Sequence, residues 1–262
     1  MNMLLIRILT LTGLIGLTCT TKVSEWVLLN EAPEDYLLVC YHTPQTSGSL
    51  RQQNENIAGA VKDANIKFRT VVRDNAKSTY YELSYRNVPF AVFNNADELK
   101  GLSVSPLRKK VADEIMAGKL CVMVYLRSGD EAKDKLRYEI LKEAVDNSPF
   151  GSAITVMELG RNDPEELHFS SMLLNVEDDL KDLNEPMLYG VFGRFRALEP
   201  LVGRGITDEN IDLMIDFLTA DCSCLIKDDL PGASILFTNK WENPMPALVN
   251  RILDADPILL HH

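Results

Sequence analysis

The strongest constraint on this chain is that it runs through one order of apolar segments twice. Tyr36-Leu-Leu-Val-Cys-Tyr41 is a continuous apolar run of strand length, as a strand covered on both faces of a parallel sheet requires. A polar turn with Pro44 and Gly48 follows, and Leu50 to Ala64 then sets Ile57, Ala60, Val61 and Ala64 at helical spacing. Phe68-Arg-Thr-Val-Val72 is the next short strand, which completes a βαβ unit with a right-handed crossover. The order restarts at Lys119 with the apolar strand Leu120 to Leu126, the turn Arg127-Ser-Gly-Asp130 and a helix from Leu136 to Val145. Leu136, Ile140, Leu141, Ala144 and Val145 form the inward face of that helix, and Ala153 to Leu159 is the following strand.

The second copy carries further elements. Asp163-Pro164 reads as a helix start, with Asp as cap and Pro at the first position. Glu185-Pro186 precedes the strand Met187 to Phe192, Gly193-Arg194-Phe195 is a turn, and Arg196 to Val202 returns as a strand. Asp208 to Ala220 is a helix with Thr207 as its cap and Ile211, Met214, Ile215 and Leu218 facing inward. The first half has a shorter echo: Val88-Pro89 before Phe90 to Phe93, a turn at Asn94-Asn95, and a helix near Leu107 to Met116.

This order of elements resembles the thioredoxin fold, most specifically from Pro186 to Ala220. The resemblance implies an α/β protein of two tandem thioredoxin-like domains, each a mixed central sheet flanked by helices. The expected boundaries are a signal peptide at 1–20, domains at 33–117 and 118–222, and a C-terminal extension at 223–262. It also implies that Pro89 and Pro186 open the third strand of their copies, lie near residues 42–49 and 127–133 respectively, and adopt the cis form, Pro186 above all. An X–Pro bond accepts cis at a cost of only about 0.5–1 kcal/mol.

The chemistry that the resemblance implies is missing from the sequence. A thioredoxin site needs two cysteines at the start of the first helix, where the helix N-terminus stabilises a thiolate. That place reads His42-Thr-Pro-Gln-Thr-Ser-Gly-Ser49 in the first copy, with Thr46 and Ser49 near the cysteine positions, and Arg127 to Lys133 in the second. Cys40 and Cys121 lie inside apolar strands, where a cysteine is a small buried hydrophobe. Cys222-Ser-Cys224 is the remaining thiol pair: a structural or free pair past the last helix, a strained redox disulfide, or two soft ligands for a metal. No second cysteine pair or histidine-rich segment completes a zinc site, and no cofactor is expected.

Arg194 and Arg196 at the glycine turn, with Arg204 after it, are candidates for holding a carboxylate or phosphate, and Pro186 joins them as a candidate binding residue. The competing reading is a solvated hairpin tip. His42 and His168 have no evident partner acid, and no phosphate-cradling glycine loop, metalloprotease helix or serine elbow occurs. Between Gly160 and Leu236, the run through Arg161-Asn-Asp-Pro164, Phe192-Gly-Arg194, Leu198, Leu201-Val-Gly203, Gly205-Ile206 and Cys222-Ser-Cys224 is similar to a poorly characterised group of exported bacterial thioredoxin-like proteins. Phe195 stands where that group often has glycine, which puts a tight backbone contact to a ligand there in question.

Residues 1–20 differ in kind from the rest. Arg7 precedes an uncharged apolar run from Ile8 to Leu17, and Thr18, Cys19 and Thr20 follow, which suits a signal peptide and a protein of the periplasm or cell envelope. Cys19 raises lipid attachment, although Gly16-Leu17-Thr18 departs from the usual lipoprotein pattern. A net charge of -11 without a basic stripe argues against nucleic acid as a partner. The leading expectation is a non-catalytic binding or assembly module with a protein or peptide partner. A redox protein or soft-metal carrier acting through Cys222 and Cys224 is the alternative.

Overall fold

The computed structural model describes residues 21–45, 48–222, 230–239 and 241. Helix α1 is Val23–Asn30, and the first sheet then forms from β1 (Tyr36–His42), β2 (Ile66–Val72), β3 (Tyr80–Tyr85) and β4 (Val88–Phe93), with α2 (Gly48–Val61) between β1 and β2. Helix α3 (Pro106–Met116) leads to the second sheet, whose main strands are β5 (Cys121–Leu126), β6 (Ile154–Leu159) and β7 (Met187–Phe192). Its remaining strands are short: β8 (Arg196–Ala197), β9 (Leu201–Val202) and β10 (Ala233–Ser234). The helices of this half are α4 (Glu131–Asn147), α5 (Leu167–Leu173) and α6 (Asp208–Thr219). The sheets are separate and share a plan, running β2-β1-β3-β4 and β6-β5-β7-β8, with β10 added beyond β8. In each, the first two strands are parallel and the next two are antiparallel to their neighbours.

Side-chain alternation sorts these elements into layers. Tyr36, Leu38 and Cys40 of β1 share one cluster with Val122, Val124 and Leu126 of β5. Val111, Ala112 and Ile115 of α3 and Phe169, Met172 and Leu173 of α5 belong to it too, so the two halves share a core. The alternate residues Cys121, Met123 and Tyr125 point to the far side of the second sheet and pack with α1, α4 and α6. Every residue of β5 and β7 is therefore buried. The first sheet differs. Among the described residues no helix follows β2, and Tyr41, Arg69, Val71 and Tyr80 on its outer face stay partly or fully exposed, with Arg73 over the Tyr41 ring.

Both ends of the described chain tie the halves together. The backbone of residues 21–23 bonds to that of 220–222, through Val23 N–H to Ala220 O and Cys222 N–H to Thr21 O, so α1 packs on the second half although it precedes the first. Segment 233–239 runs between the halves. Ser234 O accepts from the Tyr36 hydroxyl, Phe237 N–H donates to Asn65 Oδ1, and Ile235 N–H donates to Phe195 O. At the centre is the fully buried Arg108. It donates to Ser105 Oγ at 2.9 Å, Leu102 O at 2.8 Å, Leu236 O at 2.7 Å and also Gly101 O, with Phe169 beneath its guanidinium. Burial pulls its pKa down to about 10, which leaves it charged at neutral pH.

Several expectations need correction. Neither Pro89 nor Pro186 is preceded by a cis bond; no cis peptide occurs among the described residues. Pro89 does not open the third strand and does not approach the end of β1 at His42: it lies in β4 at the sheet edge, across β3 from Leu37. Strand β3 is an addition to the expected elements: buried Tyr81 and Leu83 alternate with less buried neighbours, and Arg86-Asn87, both at positive φ, make the tight turn to β4. Asp163-Pro164 forms a turn, and the helix begins only at Leu167. Leu136 and Ala60 face outward, and the expected strand 196–202 is broken into β8 and β9 around Glu199-Pro200.

Candidate functional site

The C-terminal end of β5 and the N-terminal end of α4 form a rigid corner. Asp130 caps α4, accepting from Ala132 and Lys133 N–H. The buried Asp134 carboxylate, in the first turn, reaches back to accept from Ser128 N–H at 2.8 Å, Ser128 Oγ at 2.9 Å and Gly129 N–H at 3.0 Å. Arg127 lies beside it at 3.5 Å, and Tyr125 fixes the helix start by donating to Asp134 O. Pairing of Leu126 with Met187 brings Pro186 against this corner, as the sequence led us to expect for the second copy. Arg161 steadies the approach to Pro186 by donating to Leu183 O and Glu185 O.

A cleft of about 550 Å³ opens here, lined by Lys133, Leu136, Arg137, Glu185, Pro186, Val202, Gly203 and Arg204. Lys133 Nζ lies 2.5 Å from Glu185 Oε1, and the carboxylate raises the lysine pKa while neighbouring Arg204 opposes the shift. Arg137 donates to Ile206 O at 3.3 Å. The far wall is held by Gly203 N–H to Pro186 O at 2.8 Å and Asn210 Nδ2 to Gly205 O at 2.8 Å. Gly203 has φ +50, and an added Cβ would lie 3.0 Å from Glu185 Oε2, so glycine suits this close approach. Leu136, 53% exposed, supplies apolar lining, which is why it departs from the inward face expected for it.

Of the four expected binding residues, Pro186 and Arg204 meet in this cleft. Arg194 and Arg196 do not. Arg194 donates to Leu28 O at 2.7 Å and Leu29 O at 3.0 Å and so closes the C-terminal end of α1. Arg196 donates to the carbonyls of Leu230, Pro231 and Gly232. Phe195 between them has φ +67, a left-handed backbone that explains why glycine suits the position. Its ring is buried, stacked 4.7 Å from Phe237 with Phe169 and Trp241 beside it, so it adds no bulk at an exposed tip.

Cys40 and Cys121 offer no activated thiol. Burial pushes the Cys121 thiol up to about 12 and also raises Cys40, which accepts from Asn54 Nδ2 at 3.4 Å. Cys222 is buried where the chain meets Thr21. Cys224, Cys19, Thr46 and the apolar segment 1–20 lie outside the described residues, and so do the redox and metal readings of the pair and the lipid reading of Cys19. Among the described residues no three His, Cys, Asp or Glu side chains cluster to hold a metal, and no helix is long and apolar enough to cross a membrane. His42 is buried, with Nδ1 2.7 Å from Thr43 O. His168 is edge-on to Phe93, and burial, aided by Arg108, lowers its pKa.

Lys133, Leu136, Arg137, Glu185, Val202 and Gly203 are the cleft residues that sequence reasoning missed. The one available signal was topological: a strand opened by Pro186 beside the first strand must set Glu185 against the start of α4. No family model matches this chain, and no curated protein matches its sequence.

Proposed function

We propose that the protein is a non-catalytic binding or assembly module built from two tandem thioredoxin-like domains, exported to the cell envelope and engaging a protein or peptide beside Pro186. The observation that carries this reading is a repeated sheet order without a thiol at the helix start that follows β5. Both sheets run parallel, antiparallel, antiparallel from the same starting edge, as that fold requires. The corner where a reactive dithiol belongs is instead closed by the Asp134 carboxylate and opens onto a charged cleft. A thiolate nucleophile needs a lowered pKa and access, and Cys40 and Cys121 have neither.

The test is photo-crosslinking in the cells that make the protein. A photoreactive side chain at Leu136, in the cleft, should trap a discrete protein species in the envelope fraction. The same group at Leu213, exposed on α6, should not. Equal labelling from both positions, or recovery of the protein in the cytosol alone, would remove the proposal.

A further inference from the structure

We infer that the cleft beside Pro186 takes a peptide-borne carboxylate next to an apolar side chain, with Arg204 as the anchor; this rests on the binding-module reading. On a chain of net charge -11, three cations, Lys133, Arg137 and Arg204, face this space against the single acid Glu185. Arg204 is exposed on a turn fixed by the Gly203 to Pro186 and Asn210 to Gly205 bonds, and it makes no hydrogen bond or ion pair with another described residue. The turn thus fixes the base of the side chain, and a ligand displaces no described protein partner to reach its fork.

Lys133 can be shared. Its pairing with Glu185 is exposed, and exposed pairs contribute little, so an incoming carboxylate can accept from Lys133 without a large loss. Fork geometry and the mixed lining select the ligand class. A planar carboxylate matches one guanidinium fork, and the apolar residues beside it give an organic acid a contact that inorganic phosphate lacks. Leu136, Pro186 and Val202 form the apolar part of the lining. The carboxylate belongs to a chain terminus or to an acidic side chain, and the experiment separates these sources.

The uniformly ¹⁵N-labelled full chain is titrated with acetyl-Gly-Ala-Leu as the free acid, the same peptide as its amide, acetyl-Gly-Glu-Leu amide, and inorganic phosphate. The expected result is saturable shifts confined to residues 133–137 and 202–206 with the free acid, absent with the amide. Arg204→Gln should weaken the response about tenfold, and Glu185→Gln should strengthen it. An equal response to the Glu peptide amide supports the same carboxylate chemistry with a side-chain source. Phosphate binding as well as the peptide, no shift in this cleft from either carboxylate, or shifts indifferent to Arg204→Gln would each overturn the inference. Peptide shifts confined to another surface would overturn it too while leaving the binding-module reading in place.

Discussion

Replacing Arg108 with methionine should destabilise the protein by about 4 kcal/mol, a large effect for a change that keeps an unbranched stem. The side chain is fully buried, and its guanidinium serves the carbonyls of Gly101, Leu102 and Leu236 as well as Ser105 Oγ. Methionine keeps the stem of the side chain but loses the guanidinium over Phe169 and leaves three carbonyls without their donor. At roughly 1–3 kcal/mol for each stranded acceptor the gross loss is about 6 kcal/mol, and release from burying a charge returns about 2. The buried Glu166, whose charge favours the charged form of Arg108, would also lose that cation. Urea unfolding followed by far-UV circular dichroism is the assay. With a slope of roughly 2.5 kcal/mol/M the midpoint should fall by about 1.6 M. Because Leu236 lies on the segment that joins the halves, amide exchange should accelerate at 233–239 and at 101–105 together. A midpoint shift under 0.3 M, on the order of 0.75 kcal/mol, would refute the view that this arginine organises the shared core.

Four further outcomes are expected. Phe195→Ala should destabilise more than Phe195→Gly in thermal melts, since both lose the ring but only glycine relaxes a φ of +67; the reverse order would contradict the strain argument. Arg194→Ala should cost about 1–2 kcal/mol and speed amide exchange through residues 28–31, because two carbonyls at the end of α1 lose a charged donor. Cys40 and Cys121 should stay silent to Ellman's reagent at pH 8 until denaturant is added, because burial raises both thiol pKa values and keeps the thiolate scarce below them. If export removes a leader, intact mass should place the new N-terminus no later than Thr21, since Thr21 and Val23 are completely buried.

The second half was the more legible from sequence because its signals are local. Thr207 capping α6 and the inward set Ile211, Met214, Ile215 and Leu218 follow from a helical period and one hydroxyl. The strands β5 and β7 follow from apolar runs that are buried on both faces. In the first half the proline at position 89 drew attention from Tyr80 to Tyr85, whose alternation is the truer strand signal. The roles of Arg194 and Arg196 were hidden for a different reason. Their partners are main-chain carbonyls of residues distant in sequence, at 28–29 and 230–232, and a carbonyl leaves no mark in residue identity. The cleft was half visible: Pro186 and Arg204 were read together, but Lys133 and Arg137 join them only through the pairing of β5 with β7.

Turnover of insulin disulfides with dithiothreitol, measured beside an active thioredoxin, tests most directly the claim that this architecture works without thiol chemistry. The protein should give the uncatalysed rate, and Cys222→Ser should change nothing, because the thiols at positions 40 and 121 are held protonated and the β5–α4 corner presents a carboxylate in place of sulfur. Turnover approaching that of the thioredoxin, abolished by Cys222→Ser, would contradict the account and make the Cys222-Ser-Cys224 pair the active centre.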